Sequence, residues 1–245
     1  MISDLFNTLL YQPIYNGLVF LIDLIPGSDV GIAIILLTIL VKLIILPLSH
    51  KSVKSQAKIR VIEPEVRKIK EKHSKDKQEQ ARKVMELYKK HGVNPFTGCL
   101  LVVVQLPVIM ALYWVFKGLT NLNTDIIYSF ITIPSHINMQ FLGIVDMLGK
   151  SVVLAVLAGI TQYFQMKLSL PSTQTSESNK EMSFKDEFAK NMNTQMRYIL
   201  PVFVFFISYT LPAVIALYWV TSNSFSIVHE LIVRKKAKEL SNSQS

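Results

Sequence analysis

Val30-Gly31-Ile32-Ala33-Ile34-Ile35-Leu36-Leu37-Thr38-Ile39-Leu40-Val41-Lys42-Leu43-Ile44-Ile45-Leu46-Pro47-Leu48 carries one charge in 19 residues. A helix of that length is ~28 Å long, close to the ~30 Å hydrocarbon core of a bilayer, so the run reads as a membrane span. The rest of the chain agrees. Of 245 residues, 50% are hydrophobic and 18% charged, and the mean hydropathy is +0.35, a balance that points away from an ordinary soluble domain. The single cysteine, Cys99, excludes an internal disulfide framework and any multi-cysteine metal site.

Further apolar stretches occupy 95–117 and 150–167, and another lies between Arg197 and Arg234. The 36 residues between those arginines would make a helix of ~54 Å, nearly twice the hydrocarbon thickness, so this run folds back on itself. Thr210-Leu211-Pro212 is the natural turn, giving spans at 196–210 and 211–233. The predicted fold is an all-α membrane protein with five transmembrane helices in a bundle. The span at 196–210 is short, ~21 Å from Tyr198 to Leu211, and predicts a thinned bilayer beside it.

Basic residues orient the spans. The chain has 26 Lys plus Arg against 17 Asp plus Glu, a net charge of +9. The segment 49–94 holds 14 of the cations, Lys167 to Arg197 holds five, and the tail 234–245 holds four. Residues 1–29 and 119–149 contain no Lys or Arg. The positive-inside rule therefore puts 49–94, 168–195 and the tail in the cytoplasm, 118–149 outside, the N-terminus out and the C-terminus in. This distribution accounts for the positive charge without nucleic acid, for which the chain has no base-reading motif. Neither a secretory signal nor a transit peptide is expected at the N-terminus.

Residues 1–29 are apolar but broken by Gln12-Pro13, Asn16 and Asp23, and read as an amphipathic helix on the outer interface; the alternative is a sixth span. Segment 49–94 has charges of both signs around sparse apolar positions, Val61, Ile62, Val66, Ile69, Val84, Leu87 and Tyr88, and reads as a cytoplasmic helical hairpin. Glu63-Pro64 suits a helix start, His73-Ser74-Lys75-Asp76 a turn, and His91-Gly92 a helix end. Loop 168–195, with Pro171-Ser172-Thr173-Gln174-Thr175-Ser176 and then Phe184 and Phe188, predicts a mobile segment with one short amphipathic helix.

Lys42 is the anomaly. A lysine deep in a span costs ~3 kcal/mol on insertion scales, so it needs water, a partner or a route to the surface. Lys51 marks the cytoplasmic boundary nine residues later, which puts Lys42 ~13 Å inside it. Gln105 and Asn223 lie at similar depth on the second and last spans. With Thr38 one turn from Lys42, Trp219 one turn from Asn223, and Thr161, Gln162 and Gln165 on the third span, they compose a polar layer. As a set it lines a hydrated cavity open to the cytoplasm. Taken singly, Lys42 could be a snorkelling anchor, and Gln105, Gln162 and Asn223 interhelical hydrogen-bond partners.

Catalytic patterns are missing. Histidines at 50, 73, 91, 136 and 229 form no H-E-x-x-H spacing, the spans hold no aspartate pair, and Gly-x-Ser-x-Gly, Walker A and dinucleotide fingerprints are absent. The expectation is a non-enzyme without cofactor or metal. Off-centre polarity under a basic hairpin suits a protein that receives polypeptide from the cytoplasm. A small-solute carrier or channel using the same layer is the alternative.

The motifs point to a family. Ala33-Ile34-Ile35-Leu36-Leu37-Thr38 leads to Leu46-Pro47-Leu48, followed by Pro64-Glu65, Asn94-Pro95-Phe96-Thr97-Gly98-Cys99, Gln105-Leu106-Pro107 and Ala111-Leu112-Tyr113-Trp114. Leu211-Pro212-Ala213, Leu217-Tyr218-Trp219-Val220-Thr221-Ser222-Asn223 and Phe225-Ser226-Ile227 complete the series. In this order and spacing the chain resembles the YidC/Oxa1/Alb3 membrane protein insertases, of the bacterial type with five core spans. The resemblance implies a multi-pass protein of the bacterial inner membrane with an intramembrane groove open to cytoplasm and lipid. Its substrates would be nascent membrane proteins, with the Sec translocon and the ribosome as candidate partners. Lys42 matches the groove's basic position, Thr38, Gln105 and Trp219 match other lining positions, and 64–91 matches the family's cytoplasmic hairpin. The family's basic residue is usually arginine, and Leu100 stands where proline is common. A large external domain and a lipoprotein-type start are not expected.

Overall fold

The computed structural model describes residues 2–74, 76–94, 97–119, 122–169 and 184–242. The protein is an all-α membrane protein in which helix length follows from where the sequence supplies stops. α1 (Ile2–Phe6) passes through a π-helical stretch, Asn7–Tyr11, into α2 (Gln12–Leu24). The Ile25-Pro26-Gly27-Ser28 turn, with Gly27 at φ 78° and Ser28 at 49°, reverses the chain. α3 (Val30–Val61) then starts on Asp29, whose carboxylate accepts the Ile32 N–H at 3.1 Å. It runs 32 residues, ~48 Å, without a break at Pro47. The stop comes at Ile62 (φ −90°, ψ 1°), two residues before Pro64, which has no N–H to give the Arg60 carbonyl and whose ring would crowd that carbonyl in a continuous helix.

The helix ending the apolar run thus continues well past 48, and the pair that folds on itself is α4 (Glu63–Lys72) with α5 (Lys77–Lys90). Asp76 caps α5 by accepting the Gln78 and Glu79 N–H groups at 3.1 and 3.0 Å. Ile62, Val66, Leu87 and Val93 form a small core of their own, joined by Ile59, Ile69, Val84 and Tyr88. Val61 is 79% exposed and takes no part in it. The hairpin packs through a few side chains rather than against the main core.

α6 (Thr97–Leu119), α7 (Val152–Ser169), α8 (Phe184–Thr210) and α9 (Ala213–Asn242) follow. α3 packs along α9, α7 along both α8 and α9, and α2 against α3 and α6. Small residues permit the close approaches: Ala33, Ala111, Ala155, Ala158, Ala213 and Ala216 are fully buried. In lipid, where apolar surface gains little by leaving the solvent, such packing is what holds helices together. At Gly159 a Cβ would already stand 3.1 Å from Phe205 Cβ and 3.3 Å from the Pro201 carbonyl, so α7 and α8 touch backbone to backbone.

One end of the bundle is sealed by 122–149. Asn16 donates to the Gln12 and Ile126 carbonyls at 2.9 Å each and accepts the Tyr128 N–H at 2.7 Å, while the Tyr15 hydroxyl accepts the Asn123 N–H. β1 (Gln140–Phe141) and β2 (Val145–Asp146) form a two-residue antiparallel hairpin. Its Leu142 N–H donates to Asp29, and Asn138 exchanges backbone hydrogen bonds with Ser28 and Val30. The carbonyls of Gly149 and Met147 accept the Ala213 and Val214 N–H groups, closing the otherwise unpaired start of α9. This loop, left without structure by sequence reasoning, is thus a fitted plug.

Among the described residues, three helical stretches are long and apolar enough to cross a membrane by length and composition: Ser3–Leu24, Val30–Val61 and Val152–Ser169. Gln105–Leu119 of α6 and Arg197–Thr210 of α8 are, among the described residues, apolar as well. α9 falls into neither group because Thr221, Ser222, Asn223, Ser224 and Ser226 dilute its apolar content. α8 extends to 27 residues, beyond the expected span 196–210. Expectations resting on Lys75, Pro95, Phe96, 171–176 and the side chains of Cys99, Leu100, Phe184 and Phe188 fall outside the described residues.

Candidate functional site

α9 carries Tyr218, Ser222 and Ser226 at intervals of four, a spacing that stacks them on one face. That face meets α3 at Lys42 and α6 at Gln105. The Lys42 ammonium donates to Gln105 Oε1 at 3.4 Å and to Ser226 Oγ at 3.3 Å. Ser226 in turn donates to the Ser222 carbonyl at 2.9 Å, leaving its lone pairs for the lysine. The Gln105 amide nitrogen donates to the buried Tyr218 hydroxyl, so both ends of that side chain are fixed. Among the described residues no carboxylate pairs with Lys42. A cation held by neutral dipoles keeps its charge available for a negative group.

Asn223, one residue further along α9, points elsewhere. Its Nδ2 donates to Gln162 Oε1 at 3.1 Å and to Thr161 Oγ1 at 3.3 Å, both on α7. Thr161 spends its own proton on the Leu157 and Ala158 carbonyls. α9 therefore divides the polar layer into a Lys42–Gln105–Tyr218–Ser226 group on one side and an Asn223–Gln162–Thr161 group on the other. Asn223 and Gln162 are buried, whereas Lys42, Gln105 and Ser226 are partly open. Thr38 joins neither group, because its hydroxyl donates to the Ile34 carbonyl of its own helix at 2.7 Å and is buried. Trp219 is half-buried against the main core.

Sequence reasoning missed Tyr218 and Ser226 as members of the lysine group. The signal was available in the four-residue spacing from Tyr218 to Ser226. It also missed an ionic knot further along. Glu230 is 3% exposed and accepts Ser169 Oγ at 2.6 Å, Arg234 Nη2 at 2.8 Å and Arg234 Nε at 3.1 Å, with Arg60 Nη2 3.9 Å away. Arg60 and Arg234 both donate to the Leu168 carbonyl, one of the acceptors left over at the end of α7. The knot ties α3, α7 and α9 together. A carboxylate inside the expected span 211–233, four residues from an arginine, was its sequence signature.

Among the described residues no group of three or more His, Cys, Asp or Glu side chains could hold a metal ion. The family model described as 60Kd inner membrane protein matches residues 21–240. The chain is 34% identical over 210 residues to a membrane protein insertase YidC of Clostridium tetani, covering 86% of this chain and 84% of that one. It is 32% identical over 244 residues to the YidC of Clostridium perfringens, covering 97% and 94%. Over 237 residues it is 30% identical to the YidC of Oceanobacillus iheyensis, covering 95% and 85%. Similarity of this extent, along a helical membrane fold whose lysine seam lies within the matched region, leads to one conclusion: the chain belongs to the 60Kd inner membrane protein family, that of the YidC insertases.

Proposed function

We propose that the protein inserts membrane proteins into a bacterial membrane through a hydrated groove whose charge is Lys42. Five spans, 30–48, 95–117, 150–167, 196–210 and 211–233, form the bundle, with the N-terminus outside and the C-terminus in the cytoplasm. The observation that carries this reading is the lysine on α3, held between α6 and α9 by neutral partners only. A substrate's short polar tail enters from the cytoplasm and is drawn to that cation, while its apolar segment passes beside α8 and α9 into lipid. Water in the groove reduces the cost of moving polar groups to membrane depth. The plug of 122–149 closes the outer side, so the groove admits a tail without opening a pore. The membrane potential assists acidic tails in crossing outward.

Gln105, Tyr218 and Ser226 position the lysine, and Trp219 borders the path. Asn223 and Gln162 hold α9 to α7 as the groove's wall. The hairpin of α4 and α5 receives the incoming chain. Its core is small, so it yields easily. Nascent membrane proteins are the substrates, and no residue acts as a catalyst. The relatives' printed names favour this reading over a solute carrier, which no observation supports. The test is reconstitution of the purified chain into liposomes with a single-span protein bearing a short acidic N-terminal tail. Protection of that tail from external protease, absent in protein-free liposomes, is the expected result; equal digestion in both would overturn the proposal.

A further inference from the structure

The seam between α3 and α9 does not end at Lys42 and Ser226. Eight residues along α3, ~12 Å further, His50 faces His229, which lies three residues after Ser226 on α9. His50 Nδ1 and His229 Nε2 are 3.4 Å apart, with ring centroids at 5.6 Å and ring planes inclined by 44°. The rings are not stacked, and each turns one nitrogen toward the other.

Two imidazole nitrogens bound to one tetrahedral zinc-class ion at ~2.0–2.1 Å stand ~3.3–3.4 Å apart. The 3.4 Å between His50 Nδ1 and His229 Nε2 matches that bite distance. Chelation needs both rings neutral, with the proton on Nε2 of His50 and on Nδ1 of His229, leaving the facing nitrogens as donors. His50 is exposed and His229 partly so, giving an ion access from solvent. Glu230, next in sequence, is occupied by Ser169 and Arg234. No third His, Cys, Asp or Glu completes a set among the described residues. An ion held here keeps positions for water.

We propose that His50 and His229 form a two-imidazole site for a borderline divalent transition-metal ion, of the Zn2+, Ni2+ or Cu2+ class, that reversibly ties α3 to α9. Imidazole donors suit these ions and not Mg2+ or Ca2+. Because the ligands come from two helices far apart in sequence, binding stabilises the folded bundle over any state in which the helices separate.

The test uses the full chain without an affinity tag, in detergent micelles, titrated with Cu2+ and followed by electron paramagnetic resonance. One ion per chain with a two-nitrogen imidazole signature is expected. His50→Gln and His229→Gln should each weaken binding at least tenfold, and His73→Gln and His136→Gln should leave it unchanged. Zn2+ should raise the melting temperature of the wild type and not of either seam variant. Equal affinity in wild type and His50→Gln, or an equal melting shift in both, would overturn the site.

Discussion

Gly31→Ala probes the packing of α3 against the 122–149 loop. An ideal Cβ at Gly31 would stand 2.2 Å from Phe141 Cδ2, 2.5 Å from its Cγ and 2.7 Å from its Cβ. Rotating the ring moves the first atom but leaves the last, so the backbone of β1 must retreat. That backbone is anchored by the Leu142 N–H to Asp29, and the chain before it by Asn138 to Ser28 and Val30. Overpacking of this kind costs ~1–3 kcal/mol, and alanine's better helix propensity returns up to ~1 kcal/mol. The net expectation is a loss of about 1–2 kcal/mol, read as an earlier unfolding midpoint in detergent. Phe141→Gly in the Gly31→Ala background should cost at least about 0.5 kcal/mol less than in the wild type. A neutral Gly31→Ala, or strict additivity of the two changes, would show that α3 and the plug are not in contact as described.

The ionic knot gives a second expectation. Glu230→Ala leaves Arg60 and Arg234 without their shared carboxylate and should cost on the order of 1–3 kcal/mol in unfolding experiments, below the range for fully buried pairs because both arginines are partly exposed. Asn223→Ala and Gln162→Ala should each destabilise, with a coupling of ~0.6 kcal/mol in a double-mutant cycle, the average for interhelical hydrogen bonds in membranes. In the hairpin, hydrogen bonds from Arg82 hold the partly exposed Glu79 carboxylate below its usual range. A depressed folded-state value means stability present above the unfolded value and lost as the pH falls through the folded one. Amide protection in α5 should therefore show an acid-side decline that Glu79→Gln removes.

Helix ends were legible wherever chemistry punctuates the chain. Pro64 stops α3, Asp76 caps α5, and Leu211-Pro212 separates α8 from α9. The continuation of α3 past Leu48 was not, because the change from apolar to charged residues marks a solvent boundary and not a helix end. Counting 1.5 Å per residue predicts that Lys42, Gln105 and Asn223 share one level, and Lys42 does meet Gln105. Rotation about the axis was not legible, since depth says nothing about which neighbour a side chain faces. That is why Asn223 and Lys42 stand on different sides of α9. The plug was illegible because its hydrogen bonds join Asn16, Asp29 and Asn138 to partners remote in sequence.

The most direct test of the groove compares wild type, Lys42→Arg and Lys42→Ala in proteoliposomes, using one single-span substrate with an acidic tail and one with a neutral tail. The charge, not the lysine's shape, is what the account requires. Insertion of the acidic tail should survive in Lys42→Arg and be lost in Lys42→Ala, with the neutral tail affected less. Equal insertion of both substrates by all three proteins would contradict the account, reducing Lys42 to an anchor in a seam that packs without attracting anything.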